Sequence, residues 1–196
     1  PNTERTGVEF AIESNVPPKG GNAAQRREHD KRLGTGTMSR AGASCPCCNT
    51  IMTMEDIRIE GVSGRLGAQM TSVAADSPEG KQFRLPTSDE RRVGQPDDAD
   101  LVSAFEDIPF GPPEEPTPSP EALGMRAPLY GIDKWSKMFT RRQLIALASF
   151  VRQSRHARLA ISDYGYPPSW VEPIAGYLAC AVDRLVDFAN VNTQWK

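Results

Sequence analysis

Apolar and polar residues alternate along "GVEFAI" (residues 7–12), which predicts a short strand. The alternation stops over residues 15–37. That stretch is polar, rich in glycine and basic at its centre, and it predicts a mobile loop holding no more than one helical turn. Over residues 64–87 alternation returns in "AQMTSVAA" and "KQFRLP", and "DSPEG" between them supplies turn chemistry, so a hairpin is expected. Thr87 followed by Glu90 has the form of a capping box, placing the start of a short helix at Ser88. A further short helix is expected within "GQPDDADLVSAFEDI" (94–108). Residues 109–124 contain six prolines in sixteen positions and predict an extended linker.

Beyond the linker the period changes from two to 3.6. Thr140 and Gln143 form another capping-box pair, and Leu144, Leu147, Ala148 and Val151 follow at helical spacing. A second helix is expected to carry Pro173 in its first turn, with Ile174, Leu178, Ala181, Val182, Leu185 and Ala189 along one face. The predicted fold class is α+β. A small β-rich part (1–92) is joined by a proline-rich linker (93–125) to a helical part (126–196).

Composition narrows the classes. The 196 residues hold 23 Lys+Arg against 25 Asp+Glu, a formal charge of −2, so no overall basic field marks a nucleic-acid binder. Apolar residues make up 38%, with 17 prolines and 16 glycines, which fits long irregular segments. No run of about 18 apolar residues is present, so no membrane partner is expected. The opening "PNTERTGVEF" lacks the pattern of a signal peptide, and its first residue, Pro1, reads as a fragment or a processed chain. Four cysteines, three of them crowded together, do not form a disulfide framework, so a reducing, cytoplasmic setting is expected.

The clearest chemistry lies in "ASCPCCNTIM" (43–52). Cys45 and Cys48 have C-x-x-C spacing, which lets two thiolates converge on one Zn²⁺ across a tight turn, and Asn49 suits the left-handed position after it. Cys47 is an alternative ligand at poorer spacing. No second C-x-x-C exists, so zinc would find only a partial site. A structural turn with incidental thiols and a redox dithiol are the competing readings. Cys180, between two alanines of a predicted helix, reads as a small buried residue. His29 and His156 are further possible ligands.

Two basic groups are candidate phosphate contacts. Arg26, Arg27, Lys31, Arg32 and Arg40 belong to the N-terminal loop region, and Arg141, Arg142, Arg152, Arg155 and Arg158 to the first long helix. A solvated charged surface is the competing reading for both. Tyr130, Trp135 and Phe139 are read as packing residues, with base stacking as the alternative.

The order of segments carries a resemblance. "GTGTMSRAGASCPCCNTIM", "GRLGAQMTSVAADSPEGKQFRLPTSDE", "LYGIDKWSKMFTRRQLIALASFV" and "YLACAVDRLVDFANVNTQW" together resemble the large bacterial and archaeal adenine-specific DNA methylases that contain a zinc ribbon. The strongest element, "YGIDKWSKMFTRRQLIAL" (130–147), is similar to that family's Y-G-x-x-x-W-x-x-x-F-x-x-R-Q-x-x-x-L signature. The resemblance implies a parent enzyme that transfers a methyl group from S-adenosylmethionine to adenine in DNA. It also implies a helical segment that packs on a methyltransferase core. The catalytic D/N-P-P-Y/F tetrad is missing here, because "YPPS" (166–169) lacks the leading Asp or Asn. "GTGT" (34–37) follows no apolar strand and is not read as a cofactor loop. No catalytic or S-adenosylmethionine-binding residue is therefore assigned. The resemblance places this chain in the middle of such a methylase, with its DNA and the rest of that polypeptide as partners. It makes Cys45 and Cys48 the second claw of a ribbon whose first claw lies upstream.

Overall fold

The computed structural model describes residues 1–13, 21–34 and 36–191 of an α+β chain that divides into two compact units, Pro1–Ser88 and Asp89–Lys196. Each is described by itself.

The first unit opens on a turn closed by Asn2. Its Oδ1 accepts the backbone N–H groups of Thr6 at 2.8 Å and Gly7 at 3.1 Å. The strand expected over residues 7–12 is not formed. Among the described residues no strand pairs with it, and Val8, Phe10 and Ile12 stay exposed. Alternation alone cannot hold a strand that lacks a ladder partner.

The predicted loop is corrected more strongly. Helix α1 covers Ala23–Leu33. Its start is a full capping box: the Asn22 side chain accepts from Gln25 N–H, and the Gln25 side chain accepts from Asn22 N–H. None of its residues is buried, so local capping rather than packing defines it. Residues 15–20 and 35 of the predicted loop lie outside the described residues.

A three-stranded antiparallel sheet follows, in the order β1 (Met38–Ser39), β2 (Gly42–Ser44), β3 (Ile51–Thr53). Gly42 pairs with Thr53 and Ser44 with Ile51. Thr53 ends β3 and caps α2 (Met54–Val62), sharing reciprocal bonds with Asp56. Helix α2 buries Ile57 against β2 and β3. The predicted hairpin is present as β4 (Val73–Ser77) and β5 (Gly80–Arg84), with Val73, Ala75 and Ser77 half-buried on one face. Its first strand starts later than the sequence pattern placed it.

The second unit begins with two short helices near their expected positions, α3 (Ser88–Val93) and α4 (Asp98–Phe105). The proline-rich stretch that follows is not free. Thr117 N–H donates to Asp133 O, Trp135 N–H to Glu115 O, and Ser136 N–H to Pro113 O. The Thr117 hydroxyl donates to Ile132 O, and the residue is buried. Proline lacks a donor but keeps its carbonyl, so such a stretch can still accept bonds from a neighbouring strand. A one-turn helix, α5 (Pro120–Leu123), and two 3-10 turns, Ala127–Tyr130 and Trp135–Met138, complete the segment.

Two long helices form the core of this unit. In α6 (Arg141–Asp163), Thr140 and Gln143 make the predicted capping box, and Leu144, Leu147 and Ala148 are buried. Helix α7 (Pro168–Phe188) packs on α6 and buries Val171. It starts at Pro168, so Pro173 lies inside it rather than in its first turn. There its missing N–H removes one internal bond, a local cost offset by the α6 contact. Ile174, Leu178, Val182 and Leu185 share the packed face, while Ala181 is exposed. Trp170, Tyr177 and Phe188 form a separate exposed stripe about 100° around the helix. Among the described residues no helix is long and apolar enough to cross a membrane.

Candidate metal half-site and basic surfaces

The three clustered cysteines sit in the turn joining β2 to β3. Cys45 N–H donates to Thr50 O and Asn49 N–H to Cys45 O, both at 2.8 Å, which closes the loop back on its first cysteine. Asn49 has φ 61, the left-handed conformation expected of it. Gly42 has φ 141, and a Cβ there would stand 1.9 Å from the Met52 carbonyl oxygen. The loop is thus anchored at a position that only glycine fills without displacement.

The thiols differ in environment. Cys48 is exposed, and its Sγ lies 3.2 Å from Thr50 Oγ1. The Thr50 hydroxyl first, then the Thr50 backbone and the Cys45 side chain, hold the Cys48 thiol below the ordinary range by hydrogen bonding to its charged form. Cys47 turns away and contacts the Gly7 carbonyl at 3.3 Å. Cys45 and Cys48 are therefore the pair that faces one another, and Cys47 is committed elsewhere.

This donor set fits half of a tetrahedral thiolate site, since zinc takes four ligands and two converge here. Among the described residues no group of three or more His, Cys, Asp or Glu is placed to hold a metal ion. His29 lies on α1 and His156 on α6. Cys180, expected to be buried, is exposed on α7, where the packed face is turned from it.

The basic residues separate into two kinds. Arg26, Arg27, Lys31 and Arg32 lie on α1, where 100° per residue spreads them around the helix among Glu28 and Asp30. Arg40 is exposed in the β1–β2 turn. On α6, Arg141 is tied to Asp98 at 2.6 Å and to the Pro96 carbonyl. Arg152 donates to Ala104 O at 2.7 Å, and Arg158 pairs with Glu172. Arg142 and Arg155 remain exposed and unengaged among the described residues.

Two cavities follow the seam between α4 and α6. One of about 270 Å³ is lined by Asp107, Arg152, Arg155, His156, Arg158 and Leu159. The other, about 760 Å³, includes Arg92, Arg142 and Arg152 in its walls. The sequence points to Arg142, Arg152, Arg155 and Arg158 but not to Arg92 or Asp107, and to His156 only as a possible metal ligand. The i, i+3, i+6 spacing of Arg152, Arg155 and Arg158 was the available signal. Tyr130 and Phe139 are half-buried, and Trp135 is exposed at 39%.

Comparison with protein-family models, with curated proteins and with solved structures gives no match for this chain.

Proposed function

We propose that this chain is a non-catalytic section of an S-adenosylmethionine-dependent, adenine-specific DNA methyltransferase. In this reading it braces the enzyme's core and contributes DNA contacts. The reading rests first on the ordered resemblance of four segments. The observation that supports it most is the cysteine loop, where Cys45 and Cys48 keep C-x-x-C spacing in a closed turn followed by left-handed Asn49, features a zinc-ribbon claw also uses. Zinc bound there would tie the β2–β3 turn to a second claw and add folding stability, with Cys45 and Cys48 as its ligands here.

The helical unit supports the same reading. Trp170, Tyr177 and Phe188 present an exposed aromatic stripe, with Arg184 over the Phe188 ring at 4.9 Å, as a segment that packs on a methyltransferase core would. Arg26, Arg27, Arg32 and Arg142 are open to DNA phosphates, whereas Arg141 is held by Asp98 and serves structure first. No residue is assigned to S-adenosylmethionine or to catalysis, because the sequence offers neither tetrad nor cofactor loop. The same gap favours a second reading, a zinc-ribbon nucleic-acid-binding or scaffold module acting without methyl transfer.

The deciding experiment incubates the purified chain with adenine-containing duplex DNA and labelled S-adenosylmethionine, alone and with separately expressed methylase regions that carry the tetrad. The first reading predicts no transfer by the chain alone and transfer restored by the mixture. Methylation by the chain alone overturns both readings. A mixture that stays inactive while the chain binds DNA favours the second.

A further inference from the structure

We propose that the cavity of about 270 Å³ beside α6 is a seat for a phosphate group of a nucleic-acid strand. This inference rests on the DNA reading above and assigns that contact to one place.

Arg152, Arg155 and Arg158 follow one another at three-residue intervals, so their Cα positions climb about 9 Å along one side of α6. Two of the three are fixed in advance. Arg152 is held by the Ala104 carbonyl at 2.7 Å, and Arg158 by the Glu172 carboxylate. Arg155 is engaged by no other described residue and is the side chain free to close on a ligand. Positioned guanidinium groups match phosphate oxygens, and anchored ones lose less freedom on binding. His156 adds a donor, and Leu159 adds an apolar wall. Three arginines stand against Asp107 and Glu172, which leaves one net positive charge before His156 is counted.

The second cavity explains why the occupant is a strand rather than a single small anion. It shares Arg152 and adds Arg142 and Arg92, the last paired with Asp89 at 3.3 Å, and Asp97 and Asp100 also line it. Basic positions therefore continue from Arg142 to Arg155, about 20 Å along α6 at 1.5 Å per residue. Arg142, Arg152 and Arg155, spaced over that length, can meet successive phosphates of a nucleic-acid backbone. Asp107 in the seat, with Asp97 and Asp100 in the second cavity, opposes binding, because carboxylates repel the incoming anion.

The test uses the full chain and a fluorescent single-stranded oligonucleotide of about 16 nucleotides, followed by anisotropy over a salt series. Inorganic phosphate, followed by NMR shifts of α6 residues, is the second arm. Arg155→Ala is expected to weaken oligonucleotide binding about 3- to 10-fold and to lower the salt slope by about 0.7. Asp107→Asn is expected to tighten binding about 2- to 3-fold by removing repulsion. A merely structural Arg155 would change neither slope nor affinity. If wild type binds the oligonucleotide and both variants bind as wild type does, the seat is overturned while the DNA reading stands. If the oligonucleotide does not bind but inorganic phosphate shifts α6 in wild type and not in Arg155→Ala, the strand is overturned as occupant.

Discussion

Gly42 shows how a single residue sets up the cysteine loop. Its φ of 141 and the closeness of the Met52 carbonyl leave no room for a side chain. Gly42→Ala is expected to destabilise the first unit by about 2 kcal/mol or more, read as a shift in its urea midpoint. Asn49 was legible in sequence, because asparagine after C-x-x-C points to a left-handed turn. The demand on Gly42 was not, since it depends on a carbonyl ten residues away that only the sheet register brings close. The division among the thiols was equally hidden, because it depends on Gly7 lying beside Cys47. It makes a sharp prediction. Cys45→Ser and Cys48→Ser should each abolish the substoichiometric zinc expected in metal analysis of the purified chain, while Cys47→Ser should retain it. Equal loss from all three would show that Cys47 is a ligand.

At the scale of elements, capping separates what was read correctly from what was missed. The Thr140–Gln143 pair announced α6 and is formed as expected. Thr140→Ala is expected to cost about 1 kcal/mol of second-unit stability by thermal unfolding. The Asn22–Gln25 box announced α1 just as plainly, but the glycine-rich, basic surroundings obscured it. The proline-rich stretch was misread for another reason: composition reports missing donors and says nothing of acceptors. Its Glu114 accepts from Lys134 and from the Ser136 hydroxyl, and these bonds, Lys134 first, hold the Glu114 carboxyl below its ordinary range. A lowered folded value means that the stabilisation is present above the unfolded value of about 4.3 and is lost as pH falls through the folded one. Glu114→Gln should therefore flatten the acid limb of second-unit stability between about pH 5 and the acid transition, measured by circular dichroism. An unchanged acid limb would show that the contact contributes nothing.

Over the whole molecule, burial is uneven. Among the described residues, the first unit buries Ile57 and Pro86 of its apolar side chains, while Ala104, Leu144, Leu147, Ala148 and Val171 are buried in the second. Amide exchange should therefore be slow along the packed parts of α6 and α7 and fast along α1, whose helix buries nothing. Equal protection would contradict this distribution of stability. The exposed aromatic stripe on α7 and the open arginines on α1 and α6 give the same molecule two outward-facing chemistries, one apolar and one basic. The sequence named most of the basic residues but not Trp170, Tyr177 or Phe188, and only the structure separated arginines already held by Asp98 or Glu172 from those left open. The central claim is that these open cations engage DNA. The most direct measurement is duplex DNA binding by the zinc-supplied chain between about 50 and 200 mM salt. The account predicts affinity that falls linearly with salt on logarithmic axes and persists without S-adenosylmethionine. Absence of binding at the lowest salt, or binding indifferent to salt, would contradict it.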